Sequence, residues 1–185
     1  MKKFLLLAGA ALCMANSAEA MMWSKDFVPY IGGEYVYSHA KQGKLAKNLK
    51  NDFHSGKADV GLEMFKNYAL EFSFQMSGEL KNKKAYEGKK VENSFAAYAM
   101  DLYGKYPIMC SDFSVVGTTG LAIYHAEYKG LPSKRFSKVG YRVGGGMQYD
   151  MTEHFALRTI GRYSYIGADR LNHFAEITVG MLMKF

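Results

Sequence analysis

The chain has 185 residues, 24 Lys and Arg against 17 Asp and Glu for a formal charge of +7, and 15% aromatic residues, among them 14 Tyr and 12 Phe. Beyond residue 21 no run approaches the ~18 consecutive apolar residues of a membrane-spanning helix, which excludes a helical membrane protein. The mean hydropathy of −0.19 is modest for so aromatic a chain, as expected where greasy and polar residues alternate on strands.

The first twenty residues, MKKFLLLAGAALCMANSAEA, read as a secretory signal. Lys2 and Lys3 form its charged region, Phe4 to Ala15 its apolar region, and Ala18, Glu19 and Ala20 its small-x-small cleavage site. The apolar run is shorter than the roughly 20 residues that cross a bilayer as a helix. Leu12 before Cys13 argues against a lipoprotein. Cleavage predicts a mature domain over 21–185 with 22 basic and 16 acidic residues, a formal +6. Of the two cysteines only Cys110 remains in it, so it forms no internal disulfide.

Eight strands are expected in chain order. The first, 28–38, sets Ile31, Gly33, Tyr35 and Tyr37 against Gly32, Glu34 and Val36. The second, 55–65, sets Ala58, Val60, Leu62 and Met64 against Asp59, Gly61 and Glu63. After a tight turn at Lys66 and Asn67 comes the cleanest alternation, with Tyr68, Leu70, Phe72, Phe74 and Met76 opposite Ala69, Glu71, Ser73, Gln75 and Ser77. Over 93–104, Tyr98, Met100 and Leu102 face out and Ala97, Ala99, Asp101 and Tyr103 face in. The fifth strand, 113–125, is apolar or small on both faces and has no assignable register. The sixth, 139–149, sets Tyr141, Val143, Met147 and Tyr149 against Arg142, Gly144, Gly146 and Gln148. The seventh, 155–165, sets Phe155, Leu157, Tyr163 and Tyr165 against Arg158, Ile160, Arg162 and Ser164. The eighth, 173–185, sets Ala175, Ile177, Val179, Met181, Met183 and Phe185 against Glu176, Thr178, Gly180, Leu182 and Lys184. Period two fits every strand with a readable register.

Links after strands two, four and six are short (66–67, 105–112 and 150–154), and those after one, three and five are long and rich in lysine. This is the pattern of an up-and-down transmembrane β-barrel with short periplasmic turns and long external loops. Tyr68, Tyr106, Tyr149, Phe155 and Phe185 fall outward at the short-turn end, where an interfacial aromatic girdle belongs. The expected fold is therefore all-β, an eight-stranded antiparallel transmembrane barrel with both termini periplasmic. The first long loop, 39–54, has room for a helical turn, and the fourth, 167–172, is short.

The opening YIGGEYVYS, the segment GGGMQYD running into FALRTIGRYSYI, and the terminal ITVGMLMKF resemble the opacity-protein and small OmpA-like group of outer-membrane barrels. The resemblance implies a surface protein of a Gram-negative outer membrane with a part in envelope integrity, adhesion or immune evasion. Some members form narrow pores. It also implies that Phe185, Met183, Met181, Val179 and Ile177 form the C-terminal signal read by the barrel-assembly machinery. It implies no shared catalytic residues.

Glu34, Asp59, Glu63, Glu71, Asp101, Arg142, Arg158, Arg162, Glu176 and Lys184 fall on inward faces. An eight-stranded barrel has an interior just wide enough for side chains, so these charges are expected to pair and fill it. A narrow porin-like channel is the alternative. A lipid A-modifying barrel enzyme is the other, but the neighbouring Ser38 and His39, and His54 and Ser55, point to opposite faces of a strand. No HExxH, CxxC or EF-hand spacing appears, so neither metal nor cofactor is expected, and no nucleic-acid partner. The outward methionines 64, 76, 100, 147, 181 and 183 are expected against lipid.

The long loops hold the positive charge. Lys41, Lys44, Lys47 and Lys50 stand against Asp52 in the first. Lys81, Lys83, Lys84, Lys89 and Lys90 stand against Glu79, Glu87 and Glu92 in the second, and Lys129, Lys134, Arg135 and Lys138 against Glu127 in the third. Together they hold +8, more than the whole mature chain. Outer-membrane lipid and lipopolysaccharide are the expected partners, with host-cell glycans or receptors as further candidates. Tyr86, Tyr128 and Phe136 are candidate apolar anchors, and a monomer is expected.

Overall fold

The computed structural model describes residues 27–42, 51–86, 89–109, 111–129, 135–167 and 171–185, and the main chain alone at 42, 81–86, 89, 90, 129 and 136. The signal segment 1–20, Lys44, Lys47, Lys50, Lys134 and Cys110 lie outside the described residues. Among the described residues nine strands are formed: β1 (Phe27–Gln42), β2 (Asp52–Met64), β3 (Tyr68–Ser77), β4 (Leu80–Tyr86), β5 (Lys89–Pro107), β6 (Phe113–Lys129), β7 (Arg135–Asp150), β8 (Phe155–Tyr165) and β9 (Leu171–Lys184). All pairings are antiparallel, and β1 pairs with both β2 and β9 while β3 pairs with β5, so the sheet closes on itself.

The ninth strand does not add a stave. β3 pairs with β5 as far as Met76 opposite Ala96, and β4 resumes against the same strand at Leu80 opposite Asn93. Three residues, Ser77, Gly78 and Glu79, therefore stand opposite two, Ser94 and Phe95, which is a bulge. Ser77 Oγ accepts the Phe95 amide at 2.8 Å there. Eight staves remain, as expected from the sequence, but the second long link is a strand and hairpin rather than an open loop. The strands also outrun their predicted ends. Lys105, placed in a turn by its sequence, lies in β5, and Glu127 and Arg135 belong to β6 and β7. Of the first long link, residues 39–42 and 52–54 are strand, and the helical turn considered for it falls outside the described residues.

Burial alternates along each strand, and its sense is inverted relative to a soluble protein. Phe72 and Val143 are 56% and 58% exposed, whereas their chain neighbours Glu71 and Arg142 are 0% and 3% exposed. Exposed Leu102, Leu121, Leu157, Val179 and Met181 continue the apolar band around the outside, as lipid requires. Exposed aromatics flank it at both rims. Tyr68, Tyr106, Phe155 and Phe185 lie at the short-turn end, and Tyr35, Tyr37, Tyr98, Tyr141, Tyr163 and Tyr165 toward the other. The register of β6, unreadable from sequence, is settled by the closure. Val116, Ala122, Tyr124, Ala126 and Tyr128 are buried, while Val115, Leu121 and Ile123 are exposed. Tyr128 therefore cannot serve as an external anchor, because period two carries it into the barrel interior. The side chains of Tyr86 and Phe136 lie outside the described residues.

Candidate functional site

From the short-turn end the lumen is stacked in layers. At its mouth Lys105 and Lys184 alternate with Glu63 and Asp150. Lys105 Nζ lies 2.5 Å from Glu63 and 3.5 Å from Asp150, and Lys184 Nζ lies 3.2 Å and 3.0 Å from the same two carboxylates. Gln148 donates to Asp150 at 2.8 Å. An apolar collar of Tyr30, Ala69, Val116, Ala156, Ile160 and Leu182 follows.

Next comes a charged belt. Lys57 Nζ lies 2.8 Å from Glu34, 2.6 Å from Asp59 and 3.0 Å from Glu71. Arg158 donates to Glu34 Oε1 from Nε at 2.9 Å and from Nη2 at 2.6 Å, and from Nη2 to Glu71 Oε2 at 2.6 Å. The hydroxyls of Tyr30 and Tyr103 donate to Glu71 at 2.9 and 2.8 Å. The Arg158 guanidinium lies 4.7 Å from the centre of the Tyr103 ring, and Arg162 donates to the Tyr103 hydroxyl. Above the belt Arg142 lies 3.3 Å from Asp101. Glu176 accepts from Ser38 at 2.9 Å and from Gln75 at 3.1 Å. The long-loop half is closed by an apolar plug that includes Phe53, Phe95, Tyr124, Tyr128, Leu171 and Phe174. Phe95 and Phe174 have ring centres 4.8 Å apart, and Tyr124 and Phe174 5.4 Å apart.

Each inward charge expected from the sequence lies on an inward face. Glu34, Asp59, Glu71, Arg158 and Arg162 gather in the belt, Asp101, Arg142 and Glu176 above it, and Glu63 and Lys184 at the mouth. Lys57 was not among them, although period two from Asp59 points it inward, and it contacts three carboxylates. Tyr30, Tyr103 and Gln75 were also missed as partners, because parity gives the face of a residue but not its reach. The lumen chemistry is that of charge neutralisation. Ser38 is buried on Glu176 while His39 is exposed, and Ser55 is buried while His54 is exposed. No group of three metal-ligating side chains occurs among the described residues.

The long-loop rim carries a second ordered set. Of five histidines, four face outward there, each against a tyrosine or its hydrogen-bond partner. His54 Nδ1 bonds the Tyr35 hydroxyl, and its ring lies tilted 5.5 Å from the Tyr37 ring. His39 Nδ1 and the Tyr37 hydroxyl both meet Asp52 Oδ1 at 2.7 Å. His125 lies edge-on to Tyr98 at 5.8 Å, and His173 lies 5.1 Å from Tyr163. These bonds hold the Asp52 carboxyl below its ordinary range, the His39 contact more than the Tyr37 one. Partial burial, then Lys41 and His39, bring His173 below the ordinary imidazole value. Of the basic loop residues, Lys41, Arg135 and Lys138 are described and exposed, and Arg135 lies 3.3 Å from Glu127.

A closed barrel of eight staves, apolar outside and ion-paired within, is the class of small outer-membrane barrel proteins. The chain belongs to the outer membrane protein β-barrel domain family, whose model matches residues 4–185. Its fold is similar to that of Neisserial surface protein A, with a TM-score of 0.62 and 15% identity over 86% of this chain and 97% of that one. Ail, the attachment invasion locus protein of Yersinia pestis, gives 0.58 and 15% over 88% and 100%, and its complex with the heparin analogue sucrose octasulfate gives 0.56 and 17% over 86% and 98%. The N-terminal barrel domain of Pseudomonas aeruginosa OprF gives 0.55 and 15% over 83% and 97%. No curated protein sequence matches the chain significantly. Family and fold together make this a protein of the Gram-negative outer membrane.

Proposed function

We propose that the protein is a sealed, rigid surface barrel without enzymatic activity, whose lysine-rich loops face outward and bind polyanions, either lipopolysaccharide phosphates or sulfated host glycans. The observation that carries this reading is the segregation of charge. The two mouth lysines face two carboxylates, and the inner layers set Lys57, Arg142, Arg158 and Arg162 against Glu34, Asp59, Glu71, Asp101 and Glu176. The lumen therefore absorbs its own charge, and the excess of +8 belongs to the long links. Long-range attraction of this kind weakens as salt screens it over a Debye length of about 8 Å. The similar Ail barrel has been crystallised with a heparin analogue, which supports the same ligand chemistry for this chain. In this reading the protein works as a single chain with both termini periplasmic, and the barrel-assembly machinery reads its C-terminal strand.

Glutamine replacement of Lys41, Lys44, Lys47, Lys50 and Lys134, with heparin and host-cell binding measured at two salt concentrations, tests it. Binding that falls with both substitution and salt supports the reading, and binding unchanged by both overturns it. Cysteine labelling of intact cells at 47, 84 and 134 should succeed, whereas labelling at 67 or 152 would reverse the orientation.

A further inference from the structure

The short-turn end opens into a pocket of about 390 Å³, a volume within the range of small-ligand sites. Its floor is the ion-paired mouth, where Lys105 already meets Glu63 and Asp150. Val28 and Pro107 supply apolar wall. At the edges stand Lys66 and Asn67 on one side and Asp112 and Ser114 on the other. Among the described residues the Lys66 ammonium, the Asp112 carboxylate and the Ser114 hydroxyl have no hydrogen-bond or ion-pair partner. Ser114 is only 4% exposed, and a polar group so buried is costly to leave without one.

An unpaired lysine on an exposed turn is ordinary, but the backbone under this one is not. Lys66 lies at φ +63° after Phe65 at +52°, and the Asn67 amide donates to the Phe65 carbonyl at 2.8 Å, closing a three-residue turn. Glycine or asparagine takes that conformation more readily than lysine. The turn therefore carries strain that no contact of the lysine side chain offsets, as happens at binding sites. Asp112 is held in place too. Its carbonyl accepts the Asp150 amide at 2.9 Å, and Ser111 Oγ before it accepts the Phe113 amide at 3.3 Å. Only β5 separates β3 from β6, so the two charged edges stand two strand spacings apart, about 10 Å.

We propose that this pocket binds a short peptide with both termini free, its carboxylate at Lys66 and Asn67, its ammonium at Asp112, and its backbone at the Ser114 hydroxyl. Three extended residues span about 10 Å, which matches the separation of the edges. The floor is already paired, so the pocket has one spare charge of each sign. A zwitterion satisfies both, whereas a ligand with a single charge leaves the opposite edge unmatched. The site shares no residue with the basic loops and lies at the other end of the barrel, facing the periplasm in the orientation proposed above.

In the test the full barrel, isotope-labelled in phosphatidylcholine nanodiscs, is titrated with trialanine while the amide NMR signals of residues 66, 67, 112 and 114 are followed. Saturable shifts are expected at both edges. N-acetyl-trialanine and trialanine amide each lack one charge and should bind about two- to fivefold more weakly, the worth of an exposed ion pair. Lys66→Gly should weaken trialanine by the same factor and make amidation harmless, and Asp112→Asn should do the same for acetylation. Lys66→Gly should also keep or raise the urea midpoint, because glycine relieves the turn, so that lost binding is not lost folding. Heparin binding by the parent and labelling at 67 test the loops and the orientation separately, and either can fail without this result. The proposal is overturned if trialanine gives no saturable shift or if the blocked peptides bind like the free one. It is equally overturned if amidation still weakens binding to the Lys66→Gly barrel, or if that variant has a lower urea midpoint.

Discussion

Glu34 on β1 and Arg158 on β8 are ion-paired across an entire intervening strand, and the residue between them in register on β9 is Gly180. A Cβ on Gly180 would lie 2.4 Å from the Gly33 carbonyl oxygen and 2.5 Å from Glu34 Cγ. The glycine is what lets Glu34 lean over β9 to meet the guanidinium. Gly61 does the same for Tyr30, whose ring would lie 2.2 Å from a Cβ there and whose hydroxyl reaches Glu71.

Gly180→Val should therefore destabilise the barrel by roughly 1–3 kcal/mol through overpacking. Gly117→Val, on the lipid face with nothing within 4 Å of an added Cβ, should be neutral or gain a few tenths of a kcal/mol. Reversible urea unfolding in vesicles separates the two. Equal losses would mean that the inward glycines do not serve the cross-strand pairs.

Arg158→Met leaves Glu34 and Glu71 short of their main partner in a lumen where both are fully buried. The expected loss is about 3–5 kcal/mol, since an uncompensated buried charge costs more than the pair contributes. Lys184→Met at the partly hydrated mouth should cost on the order of 1 kcal/mol. The same urea titration checks both, and a smaller loss at Arg158 than at Lys184 would contradict the layered reading.

How much of this was legible in the sequence follows from period two. Alternation assigned Glu34, Glu71, Arg158 and Glu176 to the inside because one face must meet lipid, and a one-residue slip would invert every side chain. It failed on β6, where Val115 and Val116 are both apolar although only Val116 is buried. Only the register against β5 and β7 separates them. It also failed beyond the membrane, where strands continue without a lipid face to demand alternation. That is why Tyr128 looked like a loop residue and β4 like open chain. The rim of tyrosines and histidines was hidden for another reason. Its members come from separate strands, and only closure of the barrel sets His173 beside Lys41.

Asp52 offers a titration with a definite sign. Hydrogen bonds from His39 and Tyr37 lower its folded-state pKa. The stability it contributes is present above the ordinary Asp value of about 3.9 and is lost as the pH falls through the lowered value. Carboxyl NMR should place its midpoint below the ordinary value, and Tyr37→Phe should move it upward. A midpoint unmoved by that substitution would show the bond to be absent in solution.

Phe185 closes the last strand at the short-turn end, its amide donating to the Pro29 carbonyl at 3.0 Å while its ring stays exposed. One backbone bond is a small part of the barrel, so deleting Phe185 should leave the folded protein stable in vitro. Assembly in cells should fall sharply if the exposed ring is the feature that the assembly machinery reads. Undiminished yield and heat-modifiable mobility of the truncated protein in the outer membrane would remove that role.

The plug and the charged belt together predict the electrical behaviour. Water-filled channels belong to barrels of about 16 to 18 strands, and here eight staves enclose side chains from mouth to rim. Tyr124 and Phe174 in the long-loop half and Glu71 in the other are fully buried, and Arg158 is nearly so. An ion would have to part the aromatic stack and then break at least one buried pair. Purified protein in planar bilayers should give at most small, irregular conductance. Tyr124→Ala/Phe174→Ala should not open it, because the belt still spans the lumen, whereas adding Arg158→Ala should raise the frequency of brief openings. Large steady steps from the parent protein would mean that the ion pairs line a path rather than fill it.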